Sequence, residues 1–84
     1  MLYKITLEKA AEKYLRRQSR NVQERLLKAI KVLPPATGVK KLTGMVGYFR
    51  VRVGDIRIIF TINEAVHSIN VIAIGPRGQV YKDL

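Results

Sequence analysis

The 84-residue sequence has no cysteine. This excludes a disulfide framework and any thiolate metal site. There is one histidine, His67, and a single imidazole does not make a zinc site. No apolar run approaches the roughly 18–20 residues of a membrane span. The amino-terminal stretch MLYKITLEKA lacks a long apolar core and carries Lys4 early, so it does not read as a secretory leader. Neither a metal nor an organic cofactor is expected, and the chain reads as a soluble protein of the cytoplasm. Acidic residues are scarce too. Six Asp/Glu stand against 16 Lys/Arg, a net charge of +10. A field of that strength attracts polyanions and speeds their encounter. A merely solubilising surface settles nearer about 2–8 net charges. Nucleic acid, or an acidic protein that masks the charge, is the expected partner.

What is present suffices for one small domain over residues 1–84. Apolar residues make up 48% of the chain, enough for a globular fold. At this length only about 60% of the unfolded surface is buried, so the core is thin. Residues 2–6, LYKIT, alternate apolar and polar and predict a strand. Leu7, Ala10, Ala11, Tyr14 and Leu15 recur at helical spacing over 7–17. After QSRN, Asn21 and Glu24 resemble a capping box that opens a second helix through Val22, Leu26, Leu27, Ile30 and Leu33. Pro34-Pro35 ends it. PATGVKKLTGMVG reads as a loop. YFRVRV (48–53), IRIIFTI (56–62) and VHSINVIAI (66–74) are rich in β-branched and aromatic residues and predict strands. The expected fold is α+β in the order β-α-α-β-β-β, a two-helix hairpin on one face of a small, mostly antiparallel sheet.

Gly54-Asp55 fits a two-residue hairpin loop, and such a loop fixes a register. Val53 then pairs with Ile56, Arg52 with Arg57, Val51 with Ile58 and Arg50 with Ile59. Side chains alternate along a strand. Phe49, Val51, Val53, Ile56, Ile58 and Phe60 therefore share one face, and Tyr48, Arg50, Arg52 and Arg57 the other. Like charges directly opposite one another destabilise a sheet. A solvated outer face on which long side chains splay apart is one account. Phosphate recognition is the other, since guanidinium is planar, always charged and binds phosphate bidentately.

The last strand runs into Gly75-Pro76-Arg77-Gly78, with Tyr81 four residues after Arg77. The Gly-x-x-Gly spacing matches the RNA clamp of KH domains, but that clamp joins two helices. Here it follows a strand and only Gln79 to Leu84 come after it. A bend at the prolyl and glycyl residues is instead placed to turn Arg77 and Tyr81 over the arginine face.

KKLTGMVGYFRVRVGDIRIIFTI and IAIGPRGQVY, with the strand and helical hairpin before them, resemble a RelE-type toxin of bacterial and archaeal toxin–antitoxin modules. The resemblance implies a ribosome-dependent endoribonuclease that cuts mRNA in the A site, with no metal. It implies that Arg50 and Arg52 hold the scissile phosphate and that Arg57 steadies it. Arg77 matches a loop arginine proposed as general acid, or as a purely electrostatic stabiliser, and Tyr81 a tyrosine proposed as general base. It also implies two partners: the ribosome, through its RNA and the bound mRNA, and a cognate acidic or amphipathic antitoxin.

Tyr48 on the arginine face is placed to stack on a base, or is a plain sheet residue. Lys40, Lys41, Arg16, Arg17 and Arg20 are candidates for contacts to RNA, against the alternative of a solvated face. Tyr14 is expected between the helices, Tyr3 at the sheet edge and His67 as an exposed strand residue. Two other functions compete. A ParE-like toxin acting on DNA gyrase shares the fold and has no need of the Arg/Tyr set. A noncatalytic RNA-binding module would tolerate Tyr81→Phe.

Overall fold

The computed structural model describes residues 3–35, 37–76, 78 and 80. The elements are β1 (Lys4–Leu7), α1 (Lys9–Arg16), α2 (Arg20–Lys31), β2 (Lys40–Lys41), β3 (Tyr48–Val53), β4 (Ile56–Asn63) and β5 (Ser68–Pro76). They form one mixed five-stranded sheet in the order β1-β5-β4-β3-β2, with two helices on one face. β1 runs parallel to β5, and every other neighbouring pair is antiparallel. Among the described residues no helix is long and apolar enough to cross a membrane.

The expected hairpin is present. Gly54 adopts a φ of 62°, a left-handed value that glycine takes without a Cβ penalty. Val53↔Ile56, Arg52↔Arg57, Val51↔Ile58 and Arg50↔Ile59 are the observed rungs. Ala11 and Leu15 of α1 and Leu26 and Ile30 of α2 bury against Val51, Ile58 and Phe60, joined by Ile69, Val71 and Ile74 of β5. Phe49 stacks on Phe60 with ring centroids 5.8 Å apart. The apolar stripes of both helices thus face the apolar side of the sheet, as their spacing requires.

Several details depart from the pattern in the sequence. The first strand extends to Leu7, so α1 begins two residues later than periodicity suggests. Leu7 belongs to the strand because parallel pairing to Val71 satisfies its backbone. Ser19, not Asn21, caps α2: its Oγ accepts from the Val22 amide at 3.4 Å. Asn21 is already the second helical residue, so no Asn21–Glu24 box forms. Gln23 takes an unforeseen part, donating from Nε2 to the carbonyls of Arg16 (3.3 Å) and Gln18 (3.1 Å). It thereby satisfies orphan carbonyls at the end of α1 and ties the two helices together. The PATGVKKLTGMVG segment is not all loop, since Lys40 and Lys41 pair with Arg50 and Phe49 as an edge strand.

β5 carries a bulge. Ile59 pairs with Ala73 and Phe60 with Val71, leaving Ile72 without a rung. The bulge reverses the parity of the strand. Ile69 and Val71 face the helices before it, and Ile74 faces them after it. Ala73 and Gly75 consequently join the arginine face.

Candidate nucleic-acid interface

The strand pairs assemble a cationic face on the side of the sheet away from the helices. Residues directly opposite one another share a face. Arg52 therefore shares it with Arg57, and Arg50 with Lys40. Two rungs of the ladder thus each carry a pair of like charges. Arg52 is exposed, Arg50 half-buried and Arg57 only 8% exposed. Arg50 and Arg57 are each engaged in an interaction, so neither is a loose surface cation.

This face is not purely polar: alternation itself puts Ile59 on it, opposite Arg50. Ile59, Ala73 and Val80 form a second small core on it, flanked by Leu42, Tyr48 and Ile72. Val80 therefore lies on the arginine side of the sheet. Val80 packs over Gly75: a Cβ built there would lie 3.4 Å from the Val80 Cβ, an ordinary contact. Gly75 pairs with Arg57, so Val80 seals the sheet on the strand beside that arginine. Arg77 and Tyr81, the two residues of the candidate set that follow β5, lie outside the described residues.

Tyr48 is on the arginine face but packs against the Ile59 cluster, so its ring is part of a small core. Lys40 lies across from Arg50 on the same face. Lys41 pairs with Phe49 and alternates to the other side, yet it lines a pocket at the sheet edge. Arg16, Arg17 and Arg20 belong to the helical layer on the opposite side of the sheet. Arg16 is bonded to Glu12 at 2.6 Å, an exposed pair one helical turn apart. The structure therefore separates this trio from Arg50, Arg52 and Arg57.

Two concavities adjoin these cations. One of about 260 Å³ is lined by Lys41, Leu42, Thr43, Met45 and Arg50. Another of about 540 Å³ lies between α1 and β5, with Tyr14 and Ile74 at its floor and the exposed Lys9, Ala10, Lys13 and Arg17 around it. Partial burial pushes the Tyr14 phenol above its ordinary pKa.

His67 is not an exposed strand residue. It occupies the turn before β5 with a φ of 52° and stacks on Tyr3, with ring centroids 3.9 Å apart and planes inclined by 11°. Its carbonyl accepts from the Lys4 amide at 3.0 Å. Tyr3 in turn donates to Glu64 Oε1 at 2.7 Å. That hydrogen bond, then burial and the charge of Glu64, raise the Tyr3 pKa. The trio pins the start of β1 to the β4–β5 turn. Only the Tyr3 edge position was legible beforehand, because the partners lie more than sixty residues apart in sequence.

Solved structures of RelE toxins share this architecture. RelE in the RelE–RelB complex of Pyrococcus horikoshii is 26% identical, with a TM-score of 0.72 over 94% of this chain and 99% of that one. A mutant Escherichia coli RelE in the free state is 23% identical, with a TM-score of 0.78 over 99% and 94%. A RelBE toxin–antitoxin complex from Mycobacterium tuberculosis gives 16%, 0.74, and 92% and 100%. These likenesses define a RelE-like toxin fold. A family model for the ParE toxin of type II toxin–antitoxin systems matches residues 5–81, and the chain belongs to that family. No curated protein matches it.

Proposed function

We propose that this toxin is a ribosome-dependent endoribonuclease that cuts mRNA in the A site. The observation that carries the reading is the pair of like-charged rungs, Lys40–Arg50 and Arg52–Arg57, on one face of the sheet. Such pairs cost stability. A bound phosphodiester offsets that cost, because it brings negative charge to the face and matches guanidinium geometry. RelE-like architecture supports the same reading.

In this mechanism the 2′-oxygen attacks the adjacent phosphorus and the bond from phosphorus to the 5′-oxygen breaks. The products are a 2′,3′-cyclic phosphate and a 5′-hydroxyl. Arg50 and Arg52 hold the phosphate, Arg57 steadies it, and the cluster stabilises the charge that builds up on the phosphorane. Tyr81 removes the 2′-proton. A free phenol, with a pKa of about 10, is a weak base, and nearby cations favour its phenolate. Arg77 stabilises the leaving 5′-oxygen by charge or protonates it. No His/Glu pair assists, so the reaction depends on positioning, and a ribosome-held message supplies it. Free RNA is cut poorly. The partner that restrains the toxin is an acidic or amphipathic antitoxin covering the arginine face. The apolar floor and cationic rim of the α1–β5 groove suit the same kind of segment.

The family match itself favours a second reading, a ParE-like toxin acting on DNA gyrase. Induced expression followed by mapping of mRNA ends separates the two. Codon-phased cuts in translated messages, lost in Tyr81→Phe, support the nuclease. Intact messages with DNA damage support the gyrase poison. Intact messages and intact DNA, with RNA bound by wild type and Tyr81→Phe alike, mark a noncatalytic binder.

A further inference from the structure

We propose that the pocket beside Arg50 is a nucleobase subsite, holding the base of the RNA nucleotide next to the phosphate on the arginine face. The inference rests on reading that face as phosphate-binding. It adds a base preference residing in the segment between β2 and β3.

The lining has three kinds of chemistry in one concavity of about 260 Å³. Leu42 and Met45 present apolar surface, and a thioether adapts to a flat ring. Thr43 offers a hydroxyl that both donates and accepts. Lys41 and Arg50 supply donors and positive charge. A flat heterocycle attached to an anion uses all three. A bare phosphate leaves the apolar surface unused, and a neutral apolar ligand makes no use of the donors and charge in the lining. Arg50 belongs to both places: it lines the pocket and stands on the like-charged rung with Lys40. A phosphate at Arg50 therefore delivers its own nucleoside to the pocket.

The segment is held in shape before any ligand arrives. The Leu42 amide donates to the Tyr48 carbonyl at 3.0 Å, and the Tyr48 amide to the Met45 carbonyl at 3.2 Å. Gly44 and Gly47 take φ values of 78° and 84° in the turns between them. The Leu42 side chain is anchored against the Ile59–Ala73–Val80 cluster. A preformed wall loses little entropy on binding.

The test is a nuclear magnetic resonance titration of the full chain with inorganic phosphate and, separately, with the 3′,5′-bisphosphates of adenosine, guanosine, cytidine and uridine. Phosphate is expected to move signals of Arg50 and Arg52. The nucleotides are expected also to move Leu42, Thr43 and Met45 and to bind about tenfold more tightly than phosphate, about 1.4 kcal/mol. Met45→Ala should remove most of that gain while phosphate affinity is retained. Thr43→Val should change the order among the four bases. Nucleotides that bind no better than phosphate, or a gain untouched by Met45→Ala, overturn the proposal. Binding is read without cleavage, so an intact gain in a chain that never cuts mRNA refutes the nuclease reading and leaves the pocket standing. Cleavage in cells whose base preference is the same in Thr43→Val and wild type refutes the pocket and leaves the nuclease.

Discussion

Arg52 of β3 and Arg57 of β4 occupy a single rung of the antiparallel ladder, the first open to solvent and the second buried. Opposed like charges on one sheet face disfavour the fold by about 0.2–1 kcal/mol. Replacing the exposed member, Arg52→Gln, removes the repulsion without opening a cavity. The expected result is a protein as stable as wild type or more stable by that amount in urea denaturation. Growth inhibition on induced expression should fall at least about tenfold. A stability gain joined to a functional loss is the signature of charge retained for binding.

Val80 should behave as a core residue although it follows the last strand. It is 1% exposed and packs on Ile59 and Ala73. Val80→Ala should cost about 1–3 kcal/mol, from lost burial and the cavity left behind. At Gly75 the Cβ of alanine meets Val80 at 3.4 Å, an ordinary contact, so Gly75→Ala should change stability by less than about 1 kcal/mol. Gly75→Val adds branches where Val80 sits and should cost about 1–3 kcal/mol by overpacking. Chemical denaturation of the three variants checks the ordering.

The cap of α2 gives a sharper comparison between two neighbouring residues. Ser19 accepts from the Val22 amide, whereas Asn21 lies inside the helix. Ser19→Ala should cost about 1 kcal/mol. Asn21→Ala should be neutral or slightly stabilising, because alanine has the better helix propensity. Equal losses at the two positions in thermal melts would refute the assignment.

Tyr3 gives a pH dependence with a definite sign. Its folded pKa lies above the ordinary value of 10.0, chiefly through the hydrogen bond it donates to Glu64. A raised pKa means that the folded state holds the proton more tightly, so this contribution is complete below the unfolded pKa. It is lost as pH rises through the folded value. The stability difference between wild type and Tyr3→Phe should be constant at neutral pH and shrink above about pH 10. Denaturant midpoints across that range measure it.

The β3–β4 hairpin was fully legible because its information is local. Gly54-Asp55 admits few turn geometries, the turn sets the register, and a period of two then assigns every side chain to a face. Nothing comparably local marks the β5 bulge. Asn70 to Ile74 reads as an almost unbroken apolar run, and both faces of the sheet are apolar there, so either parity suits the pattern. The edge strand Lys40–Lys41 was illegible for another reason. Two lysines have no strand preference, and they are extended only because β3 offers a free edge to pair with.

The candidate site divides along the same line. Composition and alternation determined that three arginines share a face and that the chain is strongly cationic, since both follow from residue type and a fixed backbone period. Tertiary structure decided the rest: that Lys40 joins them, that Arg16, Arg17 and Arg20 belong to the far side, and that Val80 folds back to bury Ile59 among the charges. It also brought Tyr3, Glu64 and His67 together. These are contacts between distant parts of the chain, chosen by what must be buried when helices and strands close on one thin core. No local rule of spacing encodes that choice.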